Sequence, residues 1–395
     1  YFYHKQQISC KLRDFYNNMD SQLGASLSVL LCFFPRICRC NVAENDNTLY
    51  AAPLCAIVSL ARTPPTLPTD DTDATAVAQK ILNLNMTLSP PKWRSMFEHS
   101  KNKNTFPESP ENPNAVPKEW HNQWAGWASQ AKAVHDTKQE KALLEEFNLA
   151  KTTDAEKTAA LILLRPYARQ AEYVITTMTQ IKEAPNGPTQ EELKADLHNA
   201  VYGEATDNEN SLGEKRLFKA KPTTSRQHMC DGSTATSQAT TVASWLMCLC
   251  ATQTSNPEAK ACGRGAAMTG NWNAMGTDEQ TAWTSVGKLC PKQYTGDVSA
   301  ATVTTLITAV TTQLRSLSGK SIYGTMQGGA CNGQNSGGLC VSFSDFHSSG
   351  DKNLNGFGWI ATLRTLASKL RKREDAIQQK KLLYTTDTGS GSANT

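Results

Sequence analysis

Apolar residues recur at helical spacing along most of the chain, and only one long stretch breaks that rhythm. Trp120, Trp124 and Trp127 stand at i, i+4 and i+7, and Ala131 and Val134 continue the same face, which predicts one amphipathic helix with an aromatic stripe. Three indoles at this spacing suit a packed seam better than a ligand box. Earlier, residues 43–62 read as helix with Leu49, Ala52, Ala56 and Leu60 on one side and Pro53 as an interruption. After the breaker TPPTLP, helical spacing resumes over 70–88 through Ala76, Ala78, Ile81, Leu82 and Leu84, and the Asn-, Pro- and Glu-rich residues 104–117 read as an exposed loop.

Further on, residues 161–164 and 168–181 extend the helical pattern, with Pro166 as a kink or break. Thr189, with Glu192 three positions later, forms a capping box that opens a helix running to Tyr202 and Gly203. Residues 240–250 are a compact apolar helix, and 298–317 a Thr- and Ala-rich one. Residues 318–356 are rich in Gly, Ser and Asn and cannot be mainly helical. Residues 359–384 form a long helix in which Leu363, Leu370, Ile377 and Tyr384 recur every seven positions, with Leu366 as a second seam position. Arg364, Lys369, Arg371, Lys372, Arg373, Lys380 and Lys381 fall on its other faces and read as a solvated surface.

The two ends read differently. Met19 opens a segment whose residues 23–34 (LGASLSVLLCFF) have the length and apolarity of a secretory signal core, so 19–43 is predicted to be a signal peptide, cut after Cys40 or Ala43. Residues 1–18 are an upstream extension outside the fold. Residues 386–395 are Gly-, Ser- and Thr-rich and read as a linker to a further domain.

Composition narrows the classes. Lys and Arg number 40 against 36 Asp and Glu, too balanced for the clustered positive face of a nucleic-acid binder. No apolar run approaches the roughly 20 residues that span a bilayer. Twelve cysteines are many for a reducing compartment. Setting aside those in the first forty residues leaves Cys55, Cys230, Cys248, Cys250, Cys262, Cys290, Cys331 and Cys340, an even set that predicts four disulfides with connectivity open. A local Cys331–Cys340 bond would staple an eight-residue Gly/Asn/Ser loop. Cys248, Cys250 and Cys262 lack the two-residue knuckle spacing of a zinc site and read as disulfide halves.

Catalytic patterns are missing. The seven histidines form no HExxH, and no GxSxG occurs. Residues 319–321 read GKS, but Leu314 stands where a phosphate-cradling loop requires Gly. No catalytic residue, metal ligand or cofactor is assigned. One N-glycosylation sequon is present, Asn85-Met86-Thr87.

Taken together, the run from Cys230 to Gly263, Trp272, Trp283 and residues 289–291 (LCP) resembles the B-type N-terminal domain of trypanosome variant surface glycoproteins. So do 82–88 before Trp93, the Trp120/Trp124 helix, 200–203 (AVYG), and the Cys331–Cys340 loop before Val341-Ser342-Phe343. The resemblance covers roughly 44–385. It implies a mainly α fold, an elongated bundle on a long antiparallel helix hairpin with a disulfide-rich top lobe of loops and short strands. It also implies a non-enzymatic coat protein of the outer plasma-membrane face, GPI-anchored through a C-terminal domain, that shields the parasite, varies antigenically and evades host antibody. Homodimers or homotrimers and host antibodies are the implied partners. Ser336 and Ser318 are the implied O-glycosylation candidates. The seam of Leu363, Leu366, Leu370 and Ile377 is predicted to pack within the hairpin or between subunits. A second reading is a surface receptor on the same scaffold that takes up a host serum ligand.

Overall fold

The computed structural model describes residues 41–67, 74–183, 187–212, 217–218, 225–232, 238–263, 268, 271–273, 279–317, 319–343 and 357–389. The extension, most of the signal segment, Ser318 and the last six residues of the linker lie outside the described residues. The chain forms two compact units, one comprising the chain up to Leu67 with Pro188–Arg371, the other Pro68–Gly187 with the chain from Lys372. The fold is mainly α, as the resemblance implied.

The larger unit is organised around a helix that is buried on every side. This helix, Val242–Cys250, is capped by Thr241 and Ser244 in a reciprocal box, and all nine of its residues are inaccessible. A helix apolar all round has to sit in the centre, because any outward face would leave its side chains in water. Trp245 is its hub: its ring lies 5.2–5.5 Å from those of Tyr323, Phe343, Phe357 and Trp359. Its Nε1 donates to the Ala239 carbonyl at 3.1 Å, so the buried indole is satisfied.

Around it pack helix α1 (Thr48–Arg62), helix Gln190–Tyr202, helix Ala300–Thr311 and the first part of the last helix, Gly358–Gly389. In chain order the helices are numbered α1, α2 (Thr75–Leu88), α3 (Pro91–Arg94), α4 (His121–Ala133), α5 (Thr137–Glu146), α6 (Asp154–Glu183), α7 (Gln190–Tyr202), α8 (Arg226–Cys230), α9 (Val242–Cys250), α10 (Glu279–Gly287), α11 (Ala300–Thr311) and α12 (Gly358–Gly389).

α1 corrects the predicted face. It begins at Thr48, and its inner side is Ala51, Leu54, Cys55, Ile57, Val58, Leu60 and Ala61; of the predicted face only Leu60 lies there, while Leu49 is 78% exposed, Ala52 exposed and Ala56 half-buried. Pro53 does not interrupt it. The bond Pro53 cannot make is the one to the Leu49 carbonyl, in the first turn and on the outer side, where its loss costs least. α7 starts and stops as its sequence predicts, with the Thr189–Glu192 box at one end and Gly203 in the left-handed conformation (φ 101°) at the other.

Among the described residues, four strands complete this unit. β1 (Asp231–Gly232), β2 (Arg315–Leu317), β3 (Lys320–Met326) and β4 (Gly338–Phe343) lie in the order β1-β4-β3-β2, with β1 parallel to β4 and the other pairs antiparallel. The predicted 298–317 helix therefore ends early: α11 stops at Thr311 and 315–317 turn back as β2, pairing Leu317 with Lys320 around Gly319 (φ 76°). Three residues are too few for periodicity to register, and β3 supplies the partner that makes them a strand.

The smaller unit has two apolar clusters. Ala78 and Leu82 of α2 meet Ala168, Ala171, Val174, Met178 and Ile181 of α6, and Ala376 and Leu383 of α12 join them. α6 runs unbroken through Pro166, whose unmatched acceptor, the Ile162 carbonyl, belongs to a residue that is 57% exposed. The second cluster joins Met86, Phe97, Trp124, Ala128, Ala131 and Val134, with Trp93 and Trp127 packed against it. Here the predicted aromatic stripe is a core seam: Phe97 meets Trp124 edge-on at 4.9 Å.

α12 departs from its predicted seam. Leu363, Leu366 and Leu370 are buried in the larger unit, but Ile377 is half-buried and Tyr384 is 42% exposed, while Leu383 is buried in the smaller one. A seven-residue recurrence describes one continuous partner, and this helix changes partners along its length. It also continues to Gly389, beyond the predicted end at Tyr384.

Candidate functional site

The disulfides and the sheet define the part of the molecule that sequence reasoning singled out. Cys55 pairs with Cys290, Cys230 with Cys248, Cys250 with Cys262 and Cys331 with Cys340. Two of the bonds leave α9 from Cys248 and Cys250, its last turn, and tie it to α8 and to the segment after it. Both sulfurs are committed there, which removes the thiolates a zinc or redox site would need. Among the described residues, no group of three or more His, Cys, Asp or Glu side chains is placed to hold a metal ion, and no helix is long and apolar enough to cross a membrane.

Arg226 seals the same helix end. It is 1% exposed, and its Nη1 donates to the Ala251 and Thr252 carbonyls at 2.7 and 3.3 Å, its Nη2 to those of Met247 and Cys248 at 3.2 and 3.0 Å. Its guanidinium carbon lies 5.2 Å from the centre of the Trp272 ring. The last carbonyls of a helix are its negative end, so a buried cation is held there by the backbone. Burial lowers its pKa to about 9, which leaves it charged at neutral pH. Gly333 (φ 83°) has to be glycine, because a Cβ there would lie 2.5 Å from the guanidinium.

A second buried charge locks the sheet. Asp231 on β1 accepts from Ser342 Oγ on β4 at 2.5 Å and from Lys320 Nζ on β3 at 3.0 Å, which spans three strands. Arg62, the last residue of α1, works like Arg226 on another helix: it donates to the Gly287 carbonyl at the end of α10 and to those of Cys290 and Pro291, and its Nε pairs with Glu209. Beside it Tyr202 is buried, and burial raises its hydroxyl to about 12. Neither arginine stood out in the sequence: Arg226 sits in a polar stretch and Arg62 ends an apolar one, and nothing local names the carbonyls they reach.

The β3–β4 connection is the loop closed by Cys331–Cys340. Its inner side is backbone: Gln327 and Gly328 N–H donate to the Gly337 carbonyl, the Asn335 carbonyl accepts from the Val42 N–H, and the Asn335 N–H donates to the Asn256 carbonyl. Gly337 admits the Asn332 side chain, which a Cβ would meet at 2.1 Å. Ser336 sits exposed on this ordered loop. Asn85 is half-buried inside α2, and Thr87, the third residue of its sequon, is 6% exposed.

What these residues build is a small four-stranded sheet stapled by disulfides to packed helices, the architecture of a structural domain. The profile of the trypanosomal VSG domain, B type, matches residues 29–386, and the chain belongs to that family of trypanosome surface glycoproteins. It is similar to the variant surface glycoprotein ILTAT 1.23 of Trypanosoma brucei brucei, 24% identical over 341 residues that make up 85% of this chain and 64% of the relative. The chain thus spans 64% of the length of the curated relative it matches.

Proposed function

We propose that this chain is the N-terminal part of a GPI-anchored coat glycoprotein on the outer face of the trypanosome plasma membrane. It shields that surface and, by varying in sequence, evades host antibody. The observation that carries this is the family match across residues 29–386. The physics is in keeping with it. Disulfides and buried arginines hold the backbone independently of the exposed loops, so residues such as Ser336 can change without disturbing the core. The protein acts as a homodimer or homotrimer, host antibodies are its partners, and it performs no catalysis. Ser336 and Ser318 are the candidate positions for an O-linked sugar, with Ser336 exposed on its loop, and Asn85 is the sequon position for an N-linked one.

The test is expression of the full-length protein in trypanosomes, with surface biotinylation before and after treatment with a GPI-specific phospholipase C. The expected result is dense labelling that the enzyme releases. Labelling that resists release, or protein confined inside the cell, overturns the proposal. A sparse signal that rises on binding of a saturable serum ligand would support a receptor instead.

A further inference from the structure

The turn before the Trp120 helix contains a nitrogen asked to play two parts. His99 Nδ1 accepts from the backbone N–H groups of Lys101 and Asn102, at 3.1 and 3.0 Å. An acceptor nitrogen carries no proton. The same Nδ1 lies 3.0 Å from Glu111 Oε1, and that oxygen also accepts from the Ser100 N–H at 2.9 Å while Oε2 accepts from Ser100 Oγ at 2.7 Å. These two bonds from Ser100, the largest influence, with Lys101 nearby, hold the Glu111 carboxyl below the usual carboxylate range. One ring nitrogen thus lies within hydrogen-bond reach of two backbone donors and of a carboxylate, and which of them it engages turns on whether it bears a proton.

We propose that His99 and Glu111 form a proton-operated clasp that switches the turn at residues 99–105 between two hydrogen-bonded arrangements. Without a proton, Nδ1 gathers the two amides and the turn is closed, with His99 N–H donating to the Thr105 carbonyl at 2.8 Å. With a proton, Nδ1 becomes a donor. It makes a charge-assisted bond to Glu111 Oε1, and the Lys101 and Asn102 N–H groups lose their acceptor and turn to water.

The other charges around the turn sit on a separate network. Glu98 accepts from the Asn104 N–H at 2.8 Å and lies 3.6 Å from Lys103, and His135, after α4, bonds Asn104 Oδ1 at 2.7 Å. His121, the first residue of α4, bonds the Pro113 carbonyl at 3.1 Å. Among the described histidines around this turn, His99 alone meets both a carboxylate and two backbone donors at one atom.

Peptide-resolved hydrogen exchange on the whole chain, corrected for intrinsic rate, tests this between pH 8 and pH 5. The peptide covering 98–105 is expected to lose protection about tenfold on acidification, while α9 keeps its protection. His99→Gln should abolish the response, and Glu111→Gln should move it to lower pH. Unchanged protection of that peptide, a loss shared with α9, or the same loss in His99→Gln overturns the clasp.

Discussion

Thr325 donates its backbone N–H to the side-chain oxygen of Asn47 at 2.9 Å, across 278 positions of sequence. The Asn47 amide nitrogen donates in turn to the Leu249 and Leu339 carbonyls, at 2.9 and 2.8 Å. Asn47 is fully buried at the head of α1, and its side chain, which could have capped that helix, instead fastens α9, β3 and β4. Asn47→Ala is expected to leave three buried backbone groups unmatched and to destabilise the larger unit by about 3 kcal/mol. Urea denaturation followed by tryptophan fluorescence measures it; a loss below about 1 kcal/mol would mean that water replaces the side chain.

The two kinds of disulfide should differ in value. Cys55–Cys290 closes a separation of 235 residues and Cys331–Cys340 one of only 9. In the chain-entropy account, replacing the first pair by Ser costs about 5 kcal/mol and the second about 2–3 kcal/mol. Thermal denaturation of the two double variants should rank them in that order. The reverse order would show that local loop packing outweighs chain restriction here.

Arg226→Met keeps the length of the side chain and discards five donors, leaving the carbonyls at the end of α9 without them. About 3 kcal/mol should be lost, and Arg226→Lys should recover only part of it, because one ammonium cannot reach four carbonyls. Equal stability of Met and Arg would place the contribution in apolar packing against Trp272. Calorimetry on the three proteins separates the cases.

His198 sets an acid limit. It is buried in α7 with Nε2 3.2 Å from the Ala61 carbonyl, and desolvation holds its pKa below the ordinary histidine value, outweighing the pull of that carbonyl and of Asp207. The unfolded chain therefore takes up a proton before the folded one does. This contribution is complete above the unfolded value of about 6.5 and is lost as pH falls from there toward the folded pKa. The urea midpoint should drop between pH 7.5 and pH 5.5, and His198→Gln should flatten that part of the profile. A profile unchanged by the substitution would assign the acid sensitivity elsewhere.

Local signals were legible and distant ones were not. Thr189, Glu192 and Gly203 name both ends of α7 because capping is settled within four residues of chain. The apolar density of 242–250 likewise announces a central helix. The inner face of α1, the strand at 315–317 and the outward turn of Tyr384 depend on partners far away in sequence, and spacing alone carries no record of a partner. Asn47 and Arg226 were invisible for the same reason: each is a polar residue made internal by backbone groups that the fold delivers. The even cysteine count predicted that bonds form and nearness in sequence suggested Cys331–Cys340, but only the folded chain shows the other three pairings.

The chain leaves the larger unit at Leu67 and returns at Pro188, and there the Leu67 N–H donates to Gln190 Oε1 at 2.9 Å while Gln190 Nε2 reaches the Pro65 carbonyl at 3.2 Å. The whole excursion lies inside the span bridged by Cys55 and Cys290. A protease that nicks the exposed stretch at 101–105 therefore severs the polypeptide without releasing either fragment. The cut molecule would migrate as one species on a non-reducing gel and fall into two bands only after a reductant is added.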